Sequence, residues 1–306
     1  MTIIGIDHGN AAIKTRGFCF SSGVVSYDNE PYTKSNVLEY CGRHYVCGSG
    51  RQPLMHDKTA DDSYYILTLA AIAKELKARD LPASSSVTLA VGLPLASFGR
   101  QKNRFRQYLL RGGDPVEYRF EGVSFEICID KLHVFPQGYA AVLMHRDLIG
   151  REPSVIVADI GGWTVDVMRL DNSIPNASTC RSLELGVIRC VDEASEQVRR
   201  SMGLSLTAAQ IESVLNGNDN SVDDRAKVII GDVGRRYTQS VLAAVSESGL
   251  DVRAIPSVFM GGGANIISKN LSSADRLCRP VIMGDVHANA VGYENLAAQF
   301  ESNTDA

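Results

Sequence analysis

Two stretches of the chain place an aspartate two positions before a glycine. Residues 3–14 read IIGIDHGNAAIK and residues 155–166 read VIVADIGGWTVD, so that Asp7 and Asp159 each end an apolar, β-rich run. Each stretch predicts a strand, a tight turn and a second strand. Glycine leaves backbone N–H groups open to an anion, and a nearby aspartate can hold hydrated Mg²⁺. The duplication therefore favours a polyphosphate bound with Mg²⁺ by two such turns.

A third glycine turn lies late in the chain. Residues 257–265 read SVFMGGGAN, in which a short apolar run ends at three consecutive glycines before a helical pattern from Ala264 to Leu271. Backbone at the start of a helix can then approach a flat ligand closely. A single Asp-x-Gly turn is most often a hairpin with a solvated carboxylate, so the interpretation depends on the three turns together.

The elements that must position these turns alternate between strand and helix patterns along the whole chain. This alternation predicts an α/β fold with two sheets and a ligand cleft between them. The patterns predict an amphipathic helix at 63–79, a buried strand at 87–93, a hairpin at 117–132 and a helix from Gln137 to about Leu148. They also predict helices at 187–202, 207–215 and 222–248, a capping box at 207–210, a loop at 217–221 and a link between halves at 150–153.

The composition limits the class of protein. With 306 residues, 44% hydrophobic and 22% charged, the chain is long enough for about two domains. A net charge of −4 gives no support for a basic surface, so we expect no direct binding of nucleic acid. Seven cysteines without a C-x-x-C pair favour buried free thiols over disulfides or a zinc site. No apolar run approaches about 18 residues and the chain enters a strand directly, so we expect a cytoplasmic protein that does not bind a membrane.

The order and spacing of these motifs resemble those of the superfamily that contains actin and the heat-shock ATPases. The two Asp-Gly turns and the GGGAN run match its phosphate 1, phosphate 2 and adenosine motifs. Residues 135–142 (FPQGYAAV) and 289–293 (NAVGY) look like its two connecting helices. The LELGVI, MGGGANII and NAVGYENLA runs are most similar to the bacterial actin-like proteins of plasmid segregation, the ParM group. The resemblance covers nearly the whole chain.

The resemblance implies an actin-like fold made of two ribonuclease-H-like α/β domains with a nucleotide cleft between them. Domain I would comprise residues 1–150 and the C-terminal helix 288–306, with a smaller subdomain at about 32–83. Domain II would comprise residues 151–287, with a subdomain at about 186–249.

The resemblance also implies a ligand, ATP or GTP with Mg²⁺, and roles for single residues. Asp7 and Asp159 would hold the hydrated metal, with Asp159 as the base-like group and Gln137 positioning the attacking water. Gln137 stands where a Glu is familiar in the segregation group. Lys14 would reach the β-phosphate, the alternative being a surface lysine on an edge strand, and Glu184 would contact the ribose. The other expected nucleotide contacts are Gly9, Asn10, Gly161, Gly162, Thr164, Gly261, Gly262 and Gly263.

Three functions are compatible with this resemblance. The first is an ATP-hydrolysing protein that polymerises head to tail into dynamic filaments for plasmid segregation, with a DNA-binding adaptor protein as its partner. The second is a sugar or acid kinase of the same superfamily, for which we find no acceptor-binding signature. The third is a nucleotide-binding cytoskeletal scaffold with little hydrolysis, which the short polar end ESNTDA disfavours because it offers no amphipathic membrane-binding helix.

Overall fold

The computed structural model describes residues 2–55, 57–145, 147, 150–218 and 220–304. The chain divides into two compact units, the first formed by Met1–Met144 with Val286–Ala306 and the second by His145–Asp285. Each unit contains its own sheet and its own apolar core. The predicted domain and subdomain boundaries stay predictions. No helix among the described residues is both long and apolar enough to cross a membrane.

The first unit is built on a nine-stranded sheet with the strand order β3-β2-β1-β7-β9-β8-β5-β6-β4. Strands β1, β7 and β9 are parallel and carry the core, whereas β2 and β3 extend the sheet as an antiparallel hairpin beside β1. The strands are β1 Thr2–His8, β2 Ala12–Lys14, β3 Cys19–Ser21, β4 Val24–Tyr27, β5 Val37–Tyr40, β6 Arg43–Cys47, β7 Ser84–Leu93, β8 Val116–Phe120 and β9 Val123–Pro136.

The helices of the first unit are α1 Ser63–Ala78, α2 Leu95–Leu110, α3 Tyr139–Leu143 and α8 Ala288–Thr304. Helix α1 is not the amphipathic helix that the sequence predicts, because twelve of its sixteen residues are buried in the core. The predicted helix from Gln137 begins two residues later, at Tyr139, and its predicted end at Leu148 lies outside the described residues. Helix α8 packs on β1 and on α3.

The second unit has a five-stranded sheet in the order β12-β11-β10-β13-β14. Its strands are β10 Ser154–Ile160, β11 Val165–Asp171, β12 Ile174–Leu183, β13 Ser257–Met260 and β14 Pro280–Met283. Strand β12 was not predicted, because its residues do not alternate clearly between apolar and polar types. Between β12 and β14 lie the helices α4 Val187–Met202, α5 Ala208–Leu215, α6 Asp224–Glu247 and α7 Ala264–Asn270, with a short 3-10 helix at Ser273–Asp275.

The local signals in the second unit are confirmed where the structure describes them. Helix α5 begins with the predicted capping box, in which the Thr207 side chain accepts from the Gln210 backbone and the Gln210 side chain accepts from the Thr207 backbone. The predicted loop at 217–221 includes position 219, which lies outside the described residues.

The cysteines are free thiols, as predicted, but most of them are not buried. Cys47, Cys180 and Cys190 are buried, whereas Cys19 and Cys41 are exposed and two others are half-buried. The sequence prediction of burial was wrong for these four, because their strands and turns lie at the surface.

Candidate functional site

The first Asp-Gly turn forms the predicted hairpin between β1 and β2. Asp7 stands opposite Lys14, whose Nζ donates to Asp7 Oδ2 at 3.3 Å. The second oxygen, Oδ1, is buried and accepts no hydrogen bond within the described part of the chain. The surface-lysine alternative for Lys14 is wrong, because β2 lies between two strands and the side chain is only 14% exposed. A buried carboxylate with one unmet oxygen is suited to a ligand that brings a positive charge or a donor.

The turn itself is shaped by a glycine and held by an asparagine. A Cβ on Gly9 would lie 2.6 Å from the Ala12 carbonyl oxygen, so that a larger residue would open the hairpin. Asn10 Oδ1 accepts from the Tyr64 hydroxyl at 2.8 Å and from the Met55 backbone at 3.4 Å. Asn10 therefore anchors the turn to helix α1 through its side-chain oxygen, a structural role that the sequence did not indicate.

His8, beside Asp7, takes part in packing. The His8 ring is fully buried, and its Nε2 lies 2.8 Å from Thr68 Oγ1. Because the Thr68 hydroxyl donates to the Tyr64 carbonyl, Nε2 carries the proton in this bond. Burial, with the nearby Lys58 charge, lowers the pKa of His8 to about 3, so the ring is neutral at physiological pH.

The second Asp-Gly turn places two carboxylates side by side. The Gly161 backbone donates to the Thr164 carbonyl at 2.8 Å, which closes the turn between β10 and β11. Asp159 stands directly opposite Asp166 in this antiparallel pair, and both are buried. Opposite residues of an antiparallel pair point to the same face, with Cβ atoms about 5 Å apart. Asp166 also accepts from the Thr164 hydroxyl at 3.2 Å.

The late glycine turn meets the Asp159 strand in the same unit. Strands β10 and β13 are parallel neighbours, with Asp159 in register with Met260. Gly261 follows with a φ of +83°, and a Cβ there would clash with Asp159 Oδ1 and lie 2.8 Å from the Ile160 carbonyl oxygen. Glycine is therefore required twice over, by the backbone conformation and by the carboxylate beside it. Two motifs about one hundred residues apart thus form one cluster.

The start of helix α4 closes on the same turn. The Val187 and Ile188 backbones donate to the Gly161 and Gly162 carbonyls at 3.1 Å and 2.9 Å. The first N–H groups of the helix therefore hold the turn. Glu184, just before the helix, is exposed. Gly262 is also exposed, whereas Gly263 is buried and its N–H donates to the Ile160 carbonyl at 3.0 Å.

Gln137 lies in the first unit, between β9 and α3. The Gln137 N–H donates to the Leu93 carbonyl at 2.8 Å, which fixes the backbone at the end of the sheet. The next N–H, of Gly138, is buried and donates to Asn289 Oδ1 at 2.9 Å. Gly138 is the N-cap residue of α3 and no side chain caps this helix, so Gln137 is not a helix cap. Its half-buried side chain follows a rigid strand end held by α8.

The structure thus forms two clusters, each within one unit. One contains Asp7, Gly9 and Lys14, and the other contains Asp159, Thr164 and the turns at 161–162 and 261–263. The motifs alone did not predict that Asp166 stands opposite Asp159. The signal was available, because pairing of Gly161 with Thr164 in the turn fixes the hairpin register and brings positions 159 and 166 together.

The buried carboxylates of Asp159 and Asp166 offer oxygen atoms, the ligand type that Mg²⁺ takes in proteins. Within the described residues, no group of three or more His, Cys, Asp or Glu side chains could hold a metal ion. Asp7 and Asp159 fit Mg²⁺ through the chemistry of their carboxylate oxygens, since Mg²⁺ keeps several waters and takes one or two carboxylates.

Comparison with known proteins finds similarity to an actin-like domain and to solved actin-like structures. Residues 5–139 match the family model "Actin like proteins N terminal domain". No curated protein matches the chain. Among solved structures, the archaeal actin homolog Ta0583 in complex with ADP is 20% identical with a TM-score of 0.77, covering 98% of this chain and 100% of that one.

Two ParM structures give the same result. A 15-stranded ParM filament from Clostridium botulinum is 18% identical with a TM-score of 0.76, covering 98% of this chain and 100% of that one. The apo ParM protein of psk41 is 18% identical with a TM-score of 0.71, covering 99% of both chains. The α/β architecture with two sheets is therefore the actin fold, as the sequence predicted. Residues 5–139 are thus similar to an actin-like N-terminal domain, and the whole chain shares the fold of the archaeal actin homolog and of the ParM proteins.

Proposed function

We propose that the chain binds a nucleoside triphosphate with Mg²⁺, hydrolyses it and assembles into filaments. The observation that carries this proposal is the contact between the Asp159 carboxylate and the Gly261 turn, since a binding turn with φ of +83° stands against a buried acid. The ADP complex of Ta0583 supports a nucleotide as the ligand, and the C. botulinum ParM filament supports self-assembly.

The residues of the two clusters divide the chemistry among them. Backbone N–H groups of the glycine turns, other than those of Gly161 and Gly263 that already donate within the protein, would bind phosphate oxygens. Lys14 would offset the charge of a β-phosphate. Asp7 and Asp159 would hold Mg²⁺ through water, and the metal, when bound, would neutralise charge on the phosphates. We assign the base-like role to Asp159, whose carboxylate can accept a proton from water. Gln137 cannot take a proton, but its amide can both donate to and accept from that water.

The similarity to ParM proteins leads us to propose plasmid segregation as the biological role of the filament. A DNA-binding adaptor would then connect the filament to the plasmid, since a net charge of −4 does not favour direct contact with DNA. Head-to-tail contacts between copies would generate an open polymer.

Asp159→Asn tests the proposal, because the change removes the charge and retains the shape of the side chain. We expect phosphate release to fall about 100-fold or more, as for loss of a general base, while ATP still raises light scattering through polymerisation. The matched control is Asp224→Asn, an aspartate whose side chain is 96% exposed, which should retain the parental rate.

Each part of the proposal has its own contradicting result. Parental phosphate release by Asp159→Asn would reject the base-like role. A melting temperature unchanged by saturating Mg²⁺ and ATP or GTP would reject nucleotide binding, because a ligand at 100 times its Kd stabilises by about 2.7 kcal/mol. Phosphate transfer to an added sugar or acid, without any rise in scattering, would favour a kinase.

A further inference from the structure

A groove on the first unit has apolar sides and a basic rim. Its volume is about 700 Å³, and it lies between helices α2 and α8, with β9 as its floor and α3 at one end. The floor consists of residues 132–136. None of the groove residues belongs to the two clusters proposed to bind nucleotide, although Pro136 directly precedes Gln137 in the chain.

Helix α2 forms one wall of the groove through a stripe of regularly spaced side chains. Phe98, Lys102 and Arg106 follow one another at intervals of four residues, so they lie on one face of the helix. The Lys102 ammonium lies 5.7 Å from the centre of the Phe98 ring. The stripe runs from Phe98 to Arg106, or roughly 12 Å of helix.

The opposite wall is apolar and partly exposed. Leu296 and Phe300, four residues apart on α8, line this side, and Phe300 is 55% exposed. The Phe300 ring stacks on Phe135 and His133 with centroids 5.9 Å and 6.3 Å away. An exposed aromatic ring held rigidly over an apolar floor is typical of a protein-binding surface.

The charges of α2 are unusual for this chain. The helix carries four basic residues and no acidic one, although the whole chain has a net charge of −4. Arg104 is paired with Asp57 at 2.8 Å, but Arg100, Lys102 and Arg106 form no ion pair within the described residues. On the far side of the groove, Glu301 is already paired with Lys131 and His133. The rim therefore presents uncompensated positive charge.

We propose that this groove binds an acidic amphipathic helix of a partner protein. An apolar stripe on such a helix would pack against Phe300, Phe98 and the β9 floor, while its flanking carboxylates would meet Lys102 and Arg106. The α2 wall, about 12 Å long, suits a guest of two to three helical turns. A nucleic acid would use the basic residues but would leave the apolar floor uncovered, so the observations favour a peptide. The proposal does not depend on nucleotide hydrolysis.

The test measures fluorescence anisotropy of a labelled helical peptide, about 14 residues long, with a leucine stripe flanked by glutamates, titrated with the full chain. Lys102→Glu with Arg106→Glu should weaken binding roughly tenfold at low salt, and Phe300→Ser should weaken it by a similar factor at any salt. Arg100→Glu is the matched control, because it reverses a charge of the same helix outside the groove, and it should bind nearly as the parent does.

Three results would overturn the proposal. The first is equal affinity for a peptide of the same composition whose leucines are scattered around the helix. The second is that the parent protein binds labelled duplex DNA but not the peptide, and that Lys102→Glu with Arg106→Glu abolishes the DNA binding. The third is concentration-dependent self-association, seen by sedimentation without nucleotide, that Phe300→Ser removes, which would make a second copy of this chain the occupant. Circular dichroism melts of each variant show whether it is folded.

Discussion

Replacing Gly261 by alanine adds one atom, the Cβ, and should destabilise the second Asp-Gly turn. Left-handed backbone costs an L-residue roughly 1–2 kcal/mol. The new Cβ would also meet Asp159 Oδ1 and approach the Ile160 carbonyl oxygen to 2.8 Å. That carbonyl accepts from the Gly263 N–H, and a displaced hydrogen bond costs about 0.5–1.5 kcal/mol. We therefore expect a total loss of roughly 1.5–3.5 kcal/mol of stability in the second unit.

Gly249→Ala is the control that separates conformation from contact. Gly249 lies in the same unit with a φ of +88°, and a Cβ there would have no atom within 4 Å. It should lose only the conformational part, roughly 1–2 kcal/mol. Each kcal/mol of lost stability lowers the melting temperature by about 2–4 °C. The Gly261 variant should therefore melt a few degrees below the Gly249 variant.

The same two proteins test the link between the turn and the ligand. Thermal melts with and without Mg²⁺ and ATP should show a nucleotide-dependent rise for Gly249→Ala and a much smaller one for Gly261→Ala, because a shifted Asp159 carboxylate no longer fits the ligand. Equal melting temperatures and equal rises for both variants would show that the contact between Gly261 and Asp159 does not organise a binding site.

Three further changes test single contacts. Gln137→Ala should lower phosphate release by roughly 10- to 1,000-fold with little change in nucleotide affinity, whereas unchanged turnover would reject the water-positioning role. Asn289→Ala should cost about 1–3 kcal/mol, measured by chemical denaturation, because the buried Gly138 N–H loses its acceptor; a neutral effect would mean that water replaces the amide. His8→Gln should flatten the pH dependence of stability between about pH 6 and 4. Histidine in the unfolded chain takes up a proton below about pH 6.5, whereas folded His8 does so only near pH 3. Between these values, each unit of falling pH therefore lowers the free energy of unfolding by about 1.4 kcal/mol. An unchanged slope in the variant would contradict the burial of His8 as a neutral ring.

Local structure near the motifs could be predicted from the sequence because it depends on neighbours along the chain. The Asp-Gly hairpins follow from apolar runs that stop at glycine, and helix α5 follows from the Thr207 capping box. The burial of α1 could not be predicted from its own residue pattern, because other elements of the fold cover both faces of this helix. The role of Asn10 likewise depends on Tyr64, which lies 54 residues away.

Residue types and their spacing indicate the candidate residues for chemistry: the aspartates, the glycines and the order in which the turns occur. Which of these residues come into contact depends on the folding of the whole chain. The parallel pairing of β10 with β13 brings Gly261 against Asp159, and the hairpin register sets Asp166 opposite Asp159. The basic groove arises in the same way, because α2 and α8 are almost two hundred residues apart and become its walls only when both pack beside β9. Such contacts depend on how strands pair and helices pack across long separations, and spacing along one chain does not fix that.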